Sequence, residues 1–159
     1  MYEFMYHLRR EPQPTRRMEL YENFFSPVSS SEIIKAEQDL GFPLPEELKQ
    51  FYEEIGWGQL QTGRNGKVAD NNDVVSPHEI VEILNGTSED WITPGDTDEM
   101  EPETLPFFIR APSLFLCLHP RSDNPNAVWW MWGEKICDSL VEFFQKLVED
   151  PDWFNPPKP

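Results

Sequence analysis

Four stretches of this chain place apolar residues at helical spacing, and the second of them is the clearest. Its apolar side chains follow one another at intervals of i, i+3, i+4 and i+7: Leu48, Phe51, Tyr52 and Ile55. Side chains at this spacing lie on one side of a helix, so the stretch predicts a helix that buries one face. Pro45 suits the first helical position, where its missing N–H costs nothing, and Gly56 suits the stop.

Each of the other three stretches begins with a serine that a glutamate follows three residues later. This is the spacing of a capping box, in which the serine accepts a backbone N–H and the glutamate reaches back to another. The pairs are Ser29 and Glu32, Ser76 and Glu79, and Ser139 and Glu142. The apolar positions behind them are Ile33, Ile34, Ala36 and Leu40, then Ile80, Val81, Ile83 and Leu84, then Leu140, Phe143, Phe144, Leu147 and Val148. Gly41, Gly86 and Pro151 supply the stops of these three helices.

Shorter patterns between the helices predict strands. Residues 114–118 and 128–132 are too apolar to alternate cleanly, which suits central positions in an antiparallel sheet. Residues 57–73 are short, polar and glycine-containing, which predicts hairpin turns and short strands. The order of helices and strands predicts a single α+β domain, with helices packed on a mostly antiparallel β-sheet.

The ends of the chain carry weaker patterns than the middle. A length of 159 residues suits one domain with a single core. Residues 1–27 show no steady period and are predicted to be an N-terminal extension, with one short helix around 17–25. The α+β domain is expected to span 28–150. Residues 151–159 are then a C-terminal tail, of which PPKP looks disordered.

Charge adds a statement about partners. Thirteen basic residues against 29 acidic ones give a formal net charge of -16. Such a field repels nucleic acid and anionic membranes and draws in basic partners, although acidity can also serve solubility alone. The loop at 89–103 holds seven of the acids and no base: Glu89, Asp90, Asp96, Asp98, Glu99, Glu101 and Glu103. This distribution predicts one strongly negative face.

Patterns for catalysis and metal binding are weak. The best zinc candidate combines Cys117 and His119 with Cys137. The neighbours of Cys117 and His119 are apolar, however, and a fourth ligand is missing. Asp96 and Asp98 fail as the start of an EF-hand loop, because a methionine and a glutamate fall where a ligand and a glycine are required. Neither a phosphate-binding P-loop nor a nucleophile elbow occurs. We therefore expect no enzyme, no cofactor and no metal.

Compartment signals point to the cytoplasm. Two cysteines do not make a disulfide framework, which favours reduced, buried thiols. The N-terminus lacks the apolar core and the cleavage site of a signal peptide. No apolar run approaches the roughly 20 residues of a membrane span.

Tryptophans offer the one other candidate for function. Trp129, Trp130 and Trp132 would place side chains on both faces of a strand, and their main expected role is core packing. In the alternative interpretation, Trp130 or Trp57 is exposed as an anchor for a protein partner.

Three motifs in their order resemble a SUKH superfamily domain of the Smi/Knr type, over roughly residues 28–149. The residues that carry the resemblance are Leu40, Gly41, Leu44, Pro45, Leu48, Phe51 and Tyr52, then Ser76, Glu79 and Ile80, then Asp138, Ser139, Leu140, Phe143 and Phe144. The turn after the second helix departs from the family, in which it often reads Asn-Gly-Gly. Here it is Gly56-Trp57-Gly58, which leaves the fold prediction standing and the subfamily open.

The resemblance implies an α+β domain without enzymatic activity. Many bacterial members of the superfamily are immunity proteins that bind and silence a toxin of a contact-dependent or polymorphic system, often a nuclease, and fungal members act as interaction scaffolds. The charge agrees independently, because a nuclease presents a basic cleft to phosphate that carboxylates can occupy. We expect an immunity protein with a basic toxin partner, contacted through the 89–103 loop and Trp57. The alternatives are a regulatory scaffold without a toxin, or a small-molecule or metal-binding module with an aromatic cleft.

Overall fold

The computed structural model describes residues 1–10, 22–69, 71–88, 100 and 103–155. Its elements in chain order are a 3₁₀ helix (Glu3–Leu8), β1 (Phe24–Ser26), α1 (Ser30–Leu40), α2 (Glu46–Glu54), β2 (Trp57–Gln59), β3 (Asp73–Val74), α3 (Pro77–Asn85), β4 (Leu105–Ala111), β5 (Leu114–Leu118), β6 (Val128–Trp130), β7 (Lys135–Cys137) and α4 (Leu140–Glu149). The α+β prediction is confirmed.

The strands of the described residues form one sheet in which spatial order follows chain order, from β1 to β7. Every neighbouring pair is antiparallel. The strand predicted at 114–118 is confirmed as β5, whereas the run 128–132 is a strand only as far as Trp130. The sequence pattern did not predict β4 or β7. Pro106 argues against a strand at β4, because proline cannot donate a backbone hydrogen bond to the sheet. A register irregularity between Pro106 and Phe108 accommodates this proline in the strand pairing.

Helix ends follow the predicted signals closely. Ser76 and Glu79 form the complete capping box, with Pro77 at the first position of α3. Ser29 and Ser139 also cap α1 and α4, because each serine side chain accepts the backbone N–H of the glutamate three residues on. One boundary differs from the prediction: Pro45 lies just outside α2, in an extended conformation, and the helix begins at Glu46.

Two apolar residues that were predicted to lie on buried helix faces are exposed. Ile34 is 54% exposed and Leu84 is 36% exposed. Ile34 follows Ile33 by about 100° around α1, and Ile33 already points into the core. The two side chains therefore cannot share one narrow buried stripe.

The segment before α1 is packed against the rest of the molecule. Phe24–Ser26 is a strand paired with β2, so the predicted helix around 17–25 is wrong where the structure describes that range; residues 17–21 lie outside the described part. Tyr2 and Met5 are fully buried, and the Tyr2 ring meets Phe51 edge-on at 5.0 Å.

The segment after α4 also contributes to this core. Phe154 is 6% exposed, and its ring lies 5.7 Å from that of Phe108 and 5.5 Å from that of Phe143. The limits of the domain at residues 27 and 150 stay a prediction, but described side chains on both sides of them share one core. The predicted disorder of PPKP, at 156–159, concerns residues outside the described part.

Candidate functional site

Trp57 lies at the start of β2, where the chain leaves α2 and enters the sheet. It pairs with Ser26 of β1, and its half-buried ring lies nearly perpendicular to that of Phe24, with 6.2 Å between centroids. Both flanking glycines are required there. A Cβ on Gly56 would collide with the carbonyl oxygen of Ser26, and a Cβ on Gly58 with that of Phe24. The close approach of β1 to this turn thus holds the Trp57 ring at a defined place.

A cleft of about 540 Å³ opens beside Trp57, and we call it the α1–α3 cleft. It is lined from α1 by Glu32, Lys35 and Asp39, and from α3 by His78 and Glu79. The helical period explains this grouping on α1, because residues three, four and seven apart return to one side of a helix. Ala36 and Val81 also line the cleft, so its walls combine polar side chains, two small apolar ones and the Trp57 ring.

The charged groups of the α1–α3 cleft are mostly acidic. Lys35 Nζ lies 3.2 Å from Asp39 Oδ2, so the charges of these two side chains compensate each other. Glu79 accepts the backbone N–H of Ser76 at 3.1 Å as part of the cap of α3. Glu32 is exposed, and no ion pair joins it to a basic side chain of the described residues. The lining of the cleft thus includes three carboxylates, on Glu32, Asp39 and Glu79, and one lysine.

His78 lies at the rim of the cleft on α3. Its Nε2 is 3.1 Å from Glu82 Oε1, and its side chain is largely exposed. An exposed pair of this kind is worth about 0–1 kcal/mol, so a partner can rearrange it at little cost. The same holds for the exposed Lys35–Asp39 pair.

The predicted acidic loop falls largely outside the residues that the structure describes. Only Glu103, of its seven acids, is described; Glu89, Asp90, Asp96, Asp98, Glu99 and Glu101 are not. Glu103 is exposed, with a φ of 60°, and its Oε1 lies 3.3 Å from Arg121 Nη1. The Arg121 guanidinium also lies over the Phe42 ring, 5.3 Å from its centroid.

Glu103 and Trp57 line two different clefts. The cleft at Glu103 measures about 220 Å³ and is walled by Phe42, Leu84, Pro120 and Arg121. It shares no lining residue with the α1–α3 cleft. The structure therefore does not join the two described members of the predicted contact surface into a single site.

The tryptophan motif at the end of β6 divides its side chains among different environments. Trp130 is only 5% exposed, so the interpretation of Trp130 as an exposed anchor is wrong. Trp132 is 49% exposed and lies parallel to Trp130, with 4.9 Å between ring centroids. Sequence reasoning missed Trp132 because it placed this residue in the strand. The following Gly133, with a φ of 99°, was the available signal of a turn.

The best zinc candidate of the sequence comprised Cys117, His119 and Cys137. Burial raises the pKa of the Cys117 thiol to about 12 and that of Cys137 to about 11, so both thiols are protonated at neutral pH. The His119 ring stacks on Trp129 at 4.7 Å. Within the described ranges, no three or more histidine, cysteine, aspartate or glutamate side chains are grouped as metal ligands.

Fold and motifs together define a small α+β domain with a half-buried tryptophan in an acidic cleft. This chain belongs to the SMI1 / KNR4 family (SUKH-1), whose family model matches residues 27–146. The resemblance seen in the sequence motifs is confirmed. No helix of the described part has both the length and the apolar character that a membrane span requires.

A relative from Bacillus subtilis (strain 168) bears the name Immunity protein YxxD. The two sequences are 29% identical over 135 residues, a stretch that covers 84% of this chain and 88% of the relative. The similarity thus extends over nearly the whole of both chains.

Proposed function

We propose that this protein is an immunity protein, which binds a cognate toxin and blocks its activity without any catalysis of its own. The observation that carries the proposal is the similarity to Immunity protein YxxD over 88% of that protein. Membership of the SMI1 / KNR4 family supports it, because the match at 27–146 includes α1, α2, α3 and most of α4.

The partner is a basic protein, namely a nuclease toxin of a contact-dependent or polymorphic system. A formal net charge of -16 attracts such a partner and speeds its capture, while it disfavours binding to nucleic acid or to an anionic membrane. Fast capture matters because the toxin arrives in an active form. The protein acts in the cytoplasm, where a nuclease meets its substrate.

The direct test is protection in a cell. The toxin domain encoded beside the gene of this protein is expressed in a host with and without the protein, and survival and complex formation are measured. We expect the toxin-expressing host to survive only when this protein is also present. The toxin and the protein should then form a complex that stays intact through size-exclusion chromatography. If the host dies regardless and no complex forms, the proposal is wrong. A role as a regulatory scaffold would then be favoured.

The acidic loop at 89–103 is proposed to contribute to the toxin contact. The test variant replaces five of its acids with serine or asparagine: Asp96, Asp98, Glu99, Glu101 and Glu103. A control variant removes the same number of exposed acids elsewhere: Glu46, Glu53, Asp123, Glu134 and Glu149. Both variants change the net charge equally, so only a local contribution makes the loop variant bind more weakly.

Toxin association rates are then compared at low and at moderate salt. Screening shortens the reach of charges from about 30 Å at 0.01 M to about 8 Å at 0.15 M salt. We expect the loop variant to lose more of the association rate than the control at low salt. Equal rates for the two variants would show that the loop adds nothing beyond net charge.

A further inference from the structure

The geometry points to the smaller of the two clefts as the receptor for an apolar side chain, which a basic segment of the protein partner inserts there. We call it the Leu84 cleft, and its walls include Phe42, Leu84, Pro120 and Arg121. This inference rests on the proposed function for the identity of the partner. It deepens that function by naming an anchor site and the chemistry that the site accepts.

The Leu84 cleft lies where four separate segments of the fold meet. Phe42 belongs to the link between α1 and α2, and Leu84 to the last turn of α3. Residues 103–104 precede β4, and residues 120–121 follow β5. Each segment is fixed by a buried neighbour in the chain, namely Leu44, Ile83, Leu105 and Leu118. The cleft therefore keeps its shape before the partner arrives, which lowers the entropy lost on binding.

The apolar part of the Leu84 cleft is accessible and suits a single side chain. Leu84 is 36% exposed, and Phe42 and Pro120 are half-buried. One exposed leucine is ordinary on a protein surface, but a concave group of apolar side chains is the kind of pocket that binds an interface anchor. The volume of about 220 Å³ lies below the range of about 300–1,000 Å³ that is typical of small-molecule sites. A side chain of another protein is therefore a better fit than a cofactor.

Arg121 gives the cleft a polar wall that a partner can rearrange. Its guanidinium lies over the Phe42 ring, 5.3 Å from the centroid, and its Nη1 lies 3.3 Å from Glu103 Oε1. Both charged side chains are largely exposed, and such a pair is worth about 0–1 kcal/mol. A basic group of the partner can therefore bind Glu103 in place of Arg121 at little cost. The methylene stem of Arg121 can then pack on the inserted apolar side chain.

Charge selects the chemistry of the inserted segment. The stretch 89–103, with seven acids and no base, closely follows α3 in the chain and ends at Glu103, which lines the cleft. An apolar side chain with lysine or arginine neighbours is attracted to this part of the chain, whereas one with acidic neighbours is repelled. A second copy of this protein is disfavoured for the same reason, because it also carries a net charge of -16. The occupant is therefore a basic segment of a different protein.

The first experiment titrates the methyl-labelled protein with the capped tripeptides Lys-Leu-Lys, Lys-Ser-Lys and Glu-Leu-Glu, and follows leucine and isoleucine methyl signals by NMR. The Leu84 signals are assigned with Leu84→Ile. We expect their shift to be largest with Lys-Leu-Lys, smaller with Lys-Ser-Lys and absent with Glu-Leu-Glu. Ile34 is the internal control, because it is 54% exposed and lines neither cleft. Leu84 signals that respond to no peptide, or equally to any two of them, would overturn the inference, as would an equal response at Ile34.

The second experiment measures the accessibility of the cleft with a maleimide reagent. Both native cysteines are buried and should react slowly. We expect the Leu84→Cys variant to react quickly in the free protein and slowly in the toxin complex, and the control Ile34→Cys to react quickly in both. Slow reaction of Leu84→Cys in the free protein would show that the protein's own chain covers the cleft, which contradicts the inference. Equal protection of both variants by the toxin would contradict it too.

The third experiment uses the toxin affinity and separates the two proposals. We expect Leu84→Gln to weaken toxin binding by about tenfold or more, since such a loss corresponds to one anchor contact, and Ile34→Gln to leave it unchanged. Circular dichroism checks the fold, and Leu84→Ala replaces Leu84→Gln if the latter unfolds. Full affinity in the folded Leu84 variant would contradict the inference and leave the immunity function standing. If the wild-type protein binds no toxin, the immunity proposal fails, and the peptide titration still decides about the cleft.

Discussion

The rings of Phe51 and Phe144 are stacked in parallel, with 4.2 Å between their centroids and 5° between their planes. The first belongs to α2 and the second to α4, and the two residues are more than 90 positions apart in the chain. The edges of Tyr2 and Phe25 close the other sides of Phe51, at 5.0 Å and 5.8 Å. One phenyl ring therefore joins the N-terminal segment, the first strand and two helices.

Truncation of this ring should destabilise the whole molecule. We expect Phe51→Ala to lower the free energy of unfolding by about 3–5 kcal/mol, because it removes a fully buried aromatic side chain and leaves a cavity. The control Ile34→Ala, on the exposed side of α1, should change it by no more than about 0.5 kcal/mol. Urea unfolding curves of the three proteins measure both values. Similar midpoints for the two variants would disprove the central role of Phe51.

Glu47 of α2 should stabilise the start of α4. Its Oε1 accepts the Ser139 hydroxyl at 2.8 Å and the backbone N–H of Val141 at 3.0 Å, so it satisfies a free donor of that helix from across the fold. We expect Glu47→Ala to cost about 1–3 kcal/mol of stability, and Glu47→Gln less, because the amide oxygen can still accept. The exposed neighbour provides the control, since Glu46→Ala should be nearly neutral in the same unfolding measurement.

Glu54 should make stability depend on pH in the acid range. Burial raises the pKa of its carboxyl, but hydrogen bonds from the Tyr2 amide, the Tyr6 hydroxyl, Gln50 and the N-terminus together outweigh burial, and the net pKa lies below the ordinary value of 4.5. Because the pKa is lower in the folded state, the carboxylate adds stability above that ordinary value. This stability is lost as pH falls through the folded-state pKa.

The variant Glu54→Gln should therefore lose less stability on acidification than the wild-type protein does. Free energies of unfolding are compared at neutral pH and at steps below about pH 4.5. Glu53→Gln, at the exposed neighbouring position, should retain the acid dependence of the wild type. If Glu54→Gln follows the same pH curve as the wild type, the carboxylate does not contribute in this way.

The turn beside Trp57 should tolerate no side chain at Gly56. This residue has a φ of 116°, and an added Cβ would collide with the Ser26 carbonyl oxygen of β1. We expect Gly56→Ala to cost at least about 3 kcal/mol, from backbone strain and overpacking together. Gly41 is the matched control, because its φ is 83° but the space around it is open. Gly41→Ala should cost only about 1 kcal/mol, and thermal unfolding of both variants distinguishes the two causes.

The sequence alone determined α1 to α4 and the class of the fold. Apolar residues at i, i+3, i+4 and i+7 mark a buried helix face wherever they occur, and serine or glycine at the ends satisfies backbone groups of the same short segment. These are local signals, which is why the stripe from Leu48 to Ile55 and the cap at Ser76 were confirmed. The net charge, and hence the expected attraction to a basic partner, also follows from composition alone.

Only the tertiary structure decided which distant segments meet. No pattern in residues 1–10 predicts that Tyr2 packs on Phe51. Similarly, β1 is too short for its sequence to show the alternation of a strand, and its pairing with β2 is seen only in the structure. The sequence pattern places Glu47 on the polar side of its helix, and only the structure shows that this side chain contacts the start of α4. The α1–α3 cleft likewise depends on packing, because its acids and Trp57 come from three elements separated in sequence. A local sequence pattern depends only on which face of one segment is buried. A site depends on which segments pack against one another, and this is decided by the tertiary structure.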